Sequence, residues 1–494
     1  MRQRRSIYFN DARHYYLFVH EPPMRLADAW SAVDEVAGTG VDTFVYGVAR
    51  DDGLFYPSRV GRRFGADAVG RLEMAAYWRV WHNMQSLIDR GLDPLRVLVD
   101  RAHERGLDFI ASLRMGAYPG LPADKTIPGG GRGMALDEVR DFQHRLLEEL
   151  VTEYPAEGIE LDFAAAPVGT GYWFPPDEAR QLAPVMTRFV SHVADCARQR
   201  VGDSGQVGAR VYPTRALNEA TGLEVDRWLE EGLVDYVIPL VYGDMVLDGD
   251  MPIDWLVEAA HEADVSVYAM LQLYSQDESQ PGTSRAHATP AMFRAAAANC
   301  WQFGVDGLCT WFIPWPFGET ERSVLVQLAD PIQVQKADKH YFLRRETAET
   351  RQIDYPATLP ITIDPAADLG RSFDIPFTVA DDLRDRDDSP TVRLRLSIRD
   401  LVGADRLEVR LNGQSLEGES VRRRPLDAIA PYAGQRLDIE LRKQRPQSGS
   451  NRLQIALLER PQNLVSSLCI EAVEILVNYD TYPSAGMASR QVDP

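Results

Sequence analysis

Eight short apolar runs follow one another through the first two thirds of the chain, most of them separated by stretches of helical periodicity, and this succession limits the fold more than any other feature. The runs are 6–10, 43–48, 108–114, 158–163, 207–212, 234–242, 265–274 and 307–313. Between them, 136–154 and 179–199 repeat apolar residues at helical spacing, and Asp177, behind Pro175 and Pro176, stands where a helix cap is wanted. Strands alternating with helices imply a parallel sheet covered by helices. About eight such units in roughly 300 residues is the count and size of a (β/α)8 TIM barrel. A doubly wound sheet would place a glycine-rich fingerprint after its first strand, and none follows residue 10.

The pattern changes beyond residue 340. Residues 341–365 carry few helical or strand signals and read as a linker. From there to about 482 strands follow without helices. Val392, Leu394, Leu396 and Ile398 alternate with polar residues, and 407–411 ends in Asn412-Gly413, a strong hairpin signal. Residues 437–441, 453–457 and 473–477 alternate likewise, so 366–482 is expected to be an all-β sandwich, a candidate carbohydrate-binding module. The tail 483–494 is polar and is expected to fray.

A net charge of −20 argues against a nucleic-acid backbone as the partner, and no apolar run approaches the ~20 residues that span a bilayer. The basic start lacks the apolar segment of a signal peptide, so a cytoplasmic protein is expected, although a removed signal would leave the same picture. Four scattered cysteines form no CxxC pair and read as buried free thiols. Oligomeric state is not written in the sequence.

The strand 158–163, Gly-Ile-Glu-Leu-Asp-Phe, carries the chemistry. Its period of two puts Ile159, Leu161 and Phe163 on one face and Glu160 and Asp162 on the other, about 7 Å apart. In a helix-covered barrel the acidic face points into the lumen, near the C-terminal mouth where (β/α)8 enzymes act. Like charges so close are expected to raise one pKa, giving the acid and the second carboxylate of glycoside hydrolysis. The same parity brings Arg50, Arg114, Arg210, Tyr212, Tyr242, Asp244, Gln272 and Trp311 to strand ends as candidate substrate-binding groups. The three arginines either neutralise the acids or leave room for an anionic substrate group. Trp311 heads an aromatic cluster with Trp315, and Tyr172-Trp173-Phe174 follows the fourth strand; either rims the mouth or stacks on sugar. A second carboxylate across the pocket is sought in Asp244, Asp277 or Glu319.

Other motifs read as structural. The loop 129–133 is glycine-rich but lacks the Gly-Lys-Ser/Thr ending of a phosphate loop, so a flexible rim is expected. Nine histidines show neither HxH nor HExxH, and no metal or other cofactor is expected. The five aspartates in 381–388 lack EF-hand spacing, and no Gly-x-Ser-x-Gly elbow occurs.

The strand Gly158-Ile159-Glu160-Leu161-Asp162-Phe163 with Pro167 behind it resembles the signature of bacterial glycosyl-hydrolase-like (β/α)8 proteins over roughly residues 5–335, and more distantly the family 18 chitinase strand. Ala164 stands where the chitinase strand ends in glutamate, and Ala164–Ala166 where many relatives carry arginine. The resemblance implies a barrel at 1–340 that hydrolyses glycosidic bonds of a poly- or oligosaccharide, with Asp162 as acid and Glu160 as second carboxylate or its electrostatic partner. The alternative is a catalytically silent carbohydrate-binding barrel.

Overall fold

The computed structural model describes residues 2–11, 16–50, 52–67, 70–116, 120–127, 131, 133–202, 205–243, 245–276, 285–311, 317–383, 390–426 and 433–479. Eight strands, β1 (Arg5–Asp11), β2 (Thr43–Gly47), β3 (Asp108–Arg114), β4 (Gly158–Asp162), β5 (Gln206–Val211), β6 (Tyr236–Pro239), β7 (Ser266–Leu271) and β8 (Gly307–Trp311), close into a barrel. Each pairs in parallel with its sequence neighbours, and β8 returns to β1. Every strand read from the apolar runs is present.

The lumen is packed rather than open. Ile7, Phe9, Val45, Ile110, Tyr236, Tyr268, Met270, Cys309 and Trp311 come from strands around the whole barrel and form one buried cluster. Gly208 is a requirement of this packing. A Cβ there would lie 2.0 Å from the Tyr236 ring on the neighbouring strand.

Local chemistry fixes the helices. Asp93 caps Pro94–Glu104 through the Leu95 N–H at 2.8 Å, a proline fills the first turn, and Arg101 and His103 stand at the negative end of the dipole. Leu95, Leu98, Val99 and Ala102 are its buried stripe. The helix Ala179–Val201 starts two residues after the expected cap at Asp177, with Glu178 in the cap position and no side-chain cap bond. No helix among the described residues is long and apolar enough to cross a membrane.

The chain divides into two compact units. Met1–Ser275, Cys300–Ala329 and Thr347–Pro356 form one; Gln276–Asn299, Asp330–Glu346 and Ala357–Pro494 form the other. The stretch 341–365 holds the end of the strand Lys339–Phe342, the helix Ala348–Gln352 and the strand Ile361–Ile363, and both strands pair with Leu468–Asn478.

The second unit has a six-stranded and a four-stranded antiparallel sheet. Val392, Leu394, Leu396 and Ile398 lie in its core with Ile455 and Leu457 of the other sheet, and Ala295 joins them. Asn412 and Gly413 both take positive φ, 50° and 81°, the two-residue turn that the Asn-Gly pair favours. Lys339 is fully buried here, its Nζ 2.9 Å from Asp381, which also accepts from the hydroxyls of Tyr341 and Tyr479.

Candidate active site

Strand β4 sets its two carboxylates at two depths of the lumen. In register, Glu160 lies beside Ser112 and Gly208, and Asp162 beside Arg114 and Arg210. Glu160 is completely buried. Ser112 Oγ donates to its Oε1 at 2.7 Å, Arg210 Nε lies 2.5 Å from the same oxygen, and the Tyr236 hydroxyl donates to Oε2 at 3.3 Å. Tyr236 reaches it across the space that Gly208 leaves open. Burial pushes the Glu160 pKa up, against the pull of Arg210 and Ser112, and the nearby Asp162 charge pushes the same way. Arg210 is held over the Phe9 ring at 3.8 Å.

Asp162 stands one layer higher and is 2% exposed. Its Oδ1 accepts the Ala165 N–H at 3.1 Å, and its Oδ2 lies 3.8 Å from Arg114 Nε. Arg114 Nη2 donates at 3.0 Å to Asp11 Oδ2 and at 3.4 Å to the Tyr242 hydroxyl, while the guanidinium sits 5.2 Å from the Tyr242 ring centre. Burial alone would lower the Arg114 pKa, but Tyr242, Asp11 and Asp162 together raise it, so the guanidinium stays charged. Arg114 Nη1 and Arg210 Nη2 are buried with no hydrogen-bond partner among the described residues.

Both acids therefore face the lumen, as the strand parity predicts. Asp11 is the residue that sequence reading misses. The first apolar run ends one position short of it, yet Ile7, Phe9 and Asp11 share the parity of the lumen face. Three carboxylates, Asp11, Glu160 and Asp162, gather around Arg114 and Arg210, so a simple surplus of positive charge does not describe this lumen. Ser112, Gly208 and Tyr236 were also missed, because their role lies in cross-strand register.

The other candidates fall in different places. Tyr212 is buried, and its hydroxyl donates to the Ala166 carbonyl at 2.9 Å, tying down the turn after β4. Gln272 donates to the Val241 carbonyl, and its buried Oε1 has no hydrogen-bond partner among the described residues. Tyr242 tilts against Trp311 at 5.0 Å, and Phe9 meets Trp311 edge-on at 5.6 Å. Trp311 is fully buried, so its ring offers no open face to a sugar in this conformation. Trp173 is core as well, packed on Phe163 at 5.1 Å with its indole N–H on the Thr221 carbonyl. Arg50 sits on the two-residue strand Ala49–Arg50, outside the barrel sheet, because β2 ends at Gly47. Asp244, Asp277, Trp315 and most of 129–133 and 381–388 lie outside the described residues. Glu319 is exposed in the first turn of Glu319–Leu328, and Glu321 closes that helix by accepting the Gly318 N–H at 2.9 Å. Among the described residues no group of three His, Cys, Asp or Glu could hold a metal ion. Cys300 and Cys309 are buried free thiols, while Cys196 and Cys469 are half-buried.

No family model matches the chain. A curated protein of Escherichia coli O6:H1, "Glycosyl hydrolase DigH", is 24% identical over 205 residues, covering 31% of this chain and 46% of its own length. The chain thus spans about half the length of the curated relative it matches. The α-L-fucosidase isoenzyme 2 from Paenibacillus thiaminolyticus aligns at 11% identity and TM-score 0.41, over 66% of this chain and 49% of that one. A class V chitinase from Pseudomonas fluorescens Pf-5 aligns at 12% identity and TM-score 0.40, over 65% of this chain and 98% of that one. Structural likenesses of that size carry no argument about activity.

Proposed function

We propose that the barrel hydrolyses a glycosidic bond and that Asp162 is the acid that protonates the leaving oxygen. The observation that carries this is Asp162 at the C-terminal end of β4, nearly dry, with a guanidinium 3.8 Å away and, on Arg114 and Arg210, N–H groups with no partner among the described residues. A carboxylate in such a place meets the substrate where the fold puts its chemistry, and the low dielectric strengthens each polar contact it makes. Glu160 takes the second of the roles open to it. Sealed below Asp162 and paired with Arg210, it is the electrostatic partner that fixes Arg210 beneath the site. The printed name of the curated relative, a glycosyl hydrolase, supports the same reading.

The test is a panel of aryl glycosides and poly- and oligosaccharides, assayed with the wild type and Asp162→Asn. Turnover of at least one member is expected, with a loss of roughly 10²–10⁴-fold in the variant. A wild type silent across the panel, or a variant with an unchanged rate, rejects the reading. One observation favours the silent carbohydrate-binding alternative: Asp11 and Glu160 already make close guanidinium contacts. In that case Asp162→Asn changes affinity alone.

A further inference from the structure

We infer that Asp11 is the second carboxylate of the reaction, the base that activates water; this rests on the glycosidase reading of Asp162. Asp11 closes β1 at the C-terminal end of the barrel, on the lumen face with Ile7 and Phe9, and is 2% exposed. It shares Arg114 with Asp162: Nη2 lies 3.0 Å from Asp11 and Nε 3.8 Å from Asp162. The third nitrogen of that buried guanidinium, Nη1, has no hydrogen-bond partner among the described residues, which leaves a fixed donor beside both carboxylates for an oxygen of sugar or water. Glu160 is sealed below, and Glu319 is exposed at the start of a helix.

The geometry also divides the roles. The shorter contact commits Asp11 to Arg114, the partner a base's carboxylate requires, while Asp162 has the looser contact and its carboxyl is less committed to the guanidinium. Strands β2 and β3 stand between β1 and β4. Three strand spacings put the two backbones about 14 Å apart along the sheet. With both side chains reaching inward to different nitrogens of one guanidinium, we assign the pair to the wider class of roughly 6.5–9.5 Å, the one that accommodates a water. The step balances. Asp11 takes a proton from water as its oxygen bonds to the anomeric carbon, the glycosidic C–O bond breaks, and the leaving oxygen takes the Asp162 proton. Solvent then returns a proton from Asp11 to Asp162, so one water is consumed and the anomeric configuration inverts.

The experiment uses the full chain and an aryl glycoside that the wild type turns over. Asp11→Asn is expected to lose at least 10²-fold with both a nitrophenyl and a dinitrophenyl leaving group, because water activation is needed for either. Asp162→Asn should recover most of its rate on the dinitrophenyl glycoside, whose leaving group needs no proton. Asp11→Gly should be rescued by azide, which attacks the anomeric carbon in place of water, and the wild-type product should form with inverted configuration by NMR. A purely structural role for Asp11 would give no rescue. Asp11→Asn is nearly isosteric and keeps an acceptor for Arg114, so it reads the role even if the glycine variant misfolds. Asp11→Asn activity within threefold of wild type, loss without azide rescue, or a retained anomer overturns the inference and leaves Asp162 as the acid. A wild type silent on every glycoside overturns both.

Discussion

Among the described residues, both rims of the barrel carry carboxylates, and they use them differently. At the N-terminal rim, Asp42, Glu157, Asp235 and Asp306 each immediately precede an even-numbered strand. Each accepts the backbone N–H of the second residue of the strand before: Ser6 at 2.9 Å, Phe109 at 2.7 Å, Val207 at 2.7 Å and Val267 at 2.9 Å. The device repeats four times around the ring. At the C-terminal side, Asp11 and Asp162 meet at a guanidinium, and Glu160 meets another beneath them. A backbone amide has one proton to give and is then satisfied, whereas Arg114 and Arg210 keep N–H groups with no partner among the described residues. The lower rim thus closes the sheet, and the upper one holds polar capacity in reserve, the division expected between stability and chemistry in this architecture.

The sharpest way to break the comparison is to neutralise one acid at each end. Asp162→Asn should lower turnover by roughly 10²–10⁴-fold while the urea midpoint moves little, since Asn keeps an oxygen for the Ala165 N–H. Asp235→Asn should leave turnover intact. Equal activity losses in the two would erase the distinction between the rims.

Glu160 lies between the two rims in depth and should respond in stability. Glu160→Gln leaves Arg210 buried without its carboxylate, a change that typically costs about 3–5 kcal/mol. The pH dependence carries a sign that urea titration can read. The native pKa lies above the ordinary 4.5, so the folded chain holds a proton that the unfolded chain releases. That contribution to stability is complete below pH 4.5 and is lost as pH rises through the native value. Glu160→Gln should remove this downward slope; a slope unchanged in the variant would assign it to other groups.

Gly208→Ala tests the same layer by volume alone. The new methyl would meet the Tyr236 ring at 2.0 Å, and the ring cannot withdraw without giving up its bond to Glu160. A loss of about 1–3 kcal/mol is expected from such overpacking, read by denaturant titration. Tyr236→Phe in the same chain should not fully relieve it, because the ring carbons clash at 2.0 and 2.2 Å as well as the hydroxyl at 2.4 Å.

How much of this was legible in the sequence follows from what each signal depends on. Periodicity depends only on near neighbours in the chain, so the eight strands, the Asn412-Gly413 hairpin and the inward parity of Glu160 and Asp162 could all be read directly. Register depends on which residues of different strands come level, and that is set by barrel closure. Asp11 beside Arg114, or Gly208 beneath Tyr236, is visible only once β1 and β6 have their places. Burial depth was also hidden: Trp311 and Tyr212 read as mouth aromatics, yet both are buried, Trp311 against Phe9 and Tyr242, and Tyr212 against the turn after β4. The four lower acids left a trace that could have been followed, an acidic residue directly ahead of every second strand.

The smallest expected effect is at that lower rim, and it tests whether the four acids act as separate clasps or as one ring. Glu157 and Asp306 precede β4 and β8, on opposite sides of the barrel. Each takes a backbone N–H, and each also lies 3.0 Å from a histidine nitrogen, His103 and His261. Glu157→Gln and Asp306→Asn keep an oxygen for the amide and remove only the charge. The loss is therefore the difference between a charged and a neutral acceptor, about 0.5–1 kcal/mol each once partial exposure is allowed for. The two sites share no partner among these contacts, so the double variant should show the sum within roughly 0.3–0.5 kcal/mol, with turnover unchanged. A double variant that loses much more than the sum would mean that the clasps close the barrel cooperatively. A change in turnover would mean that the lower rim reaches the chemistry above it.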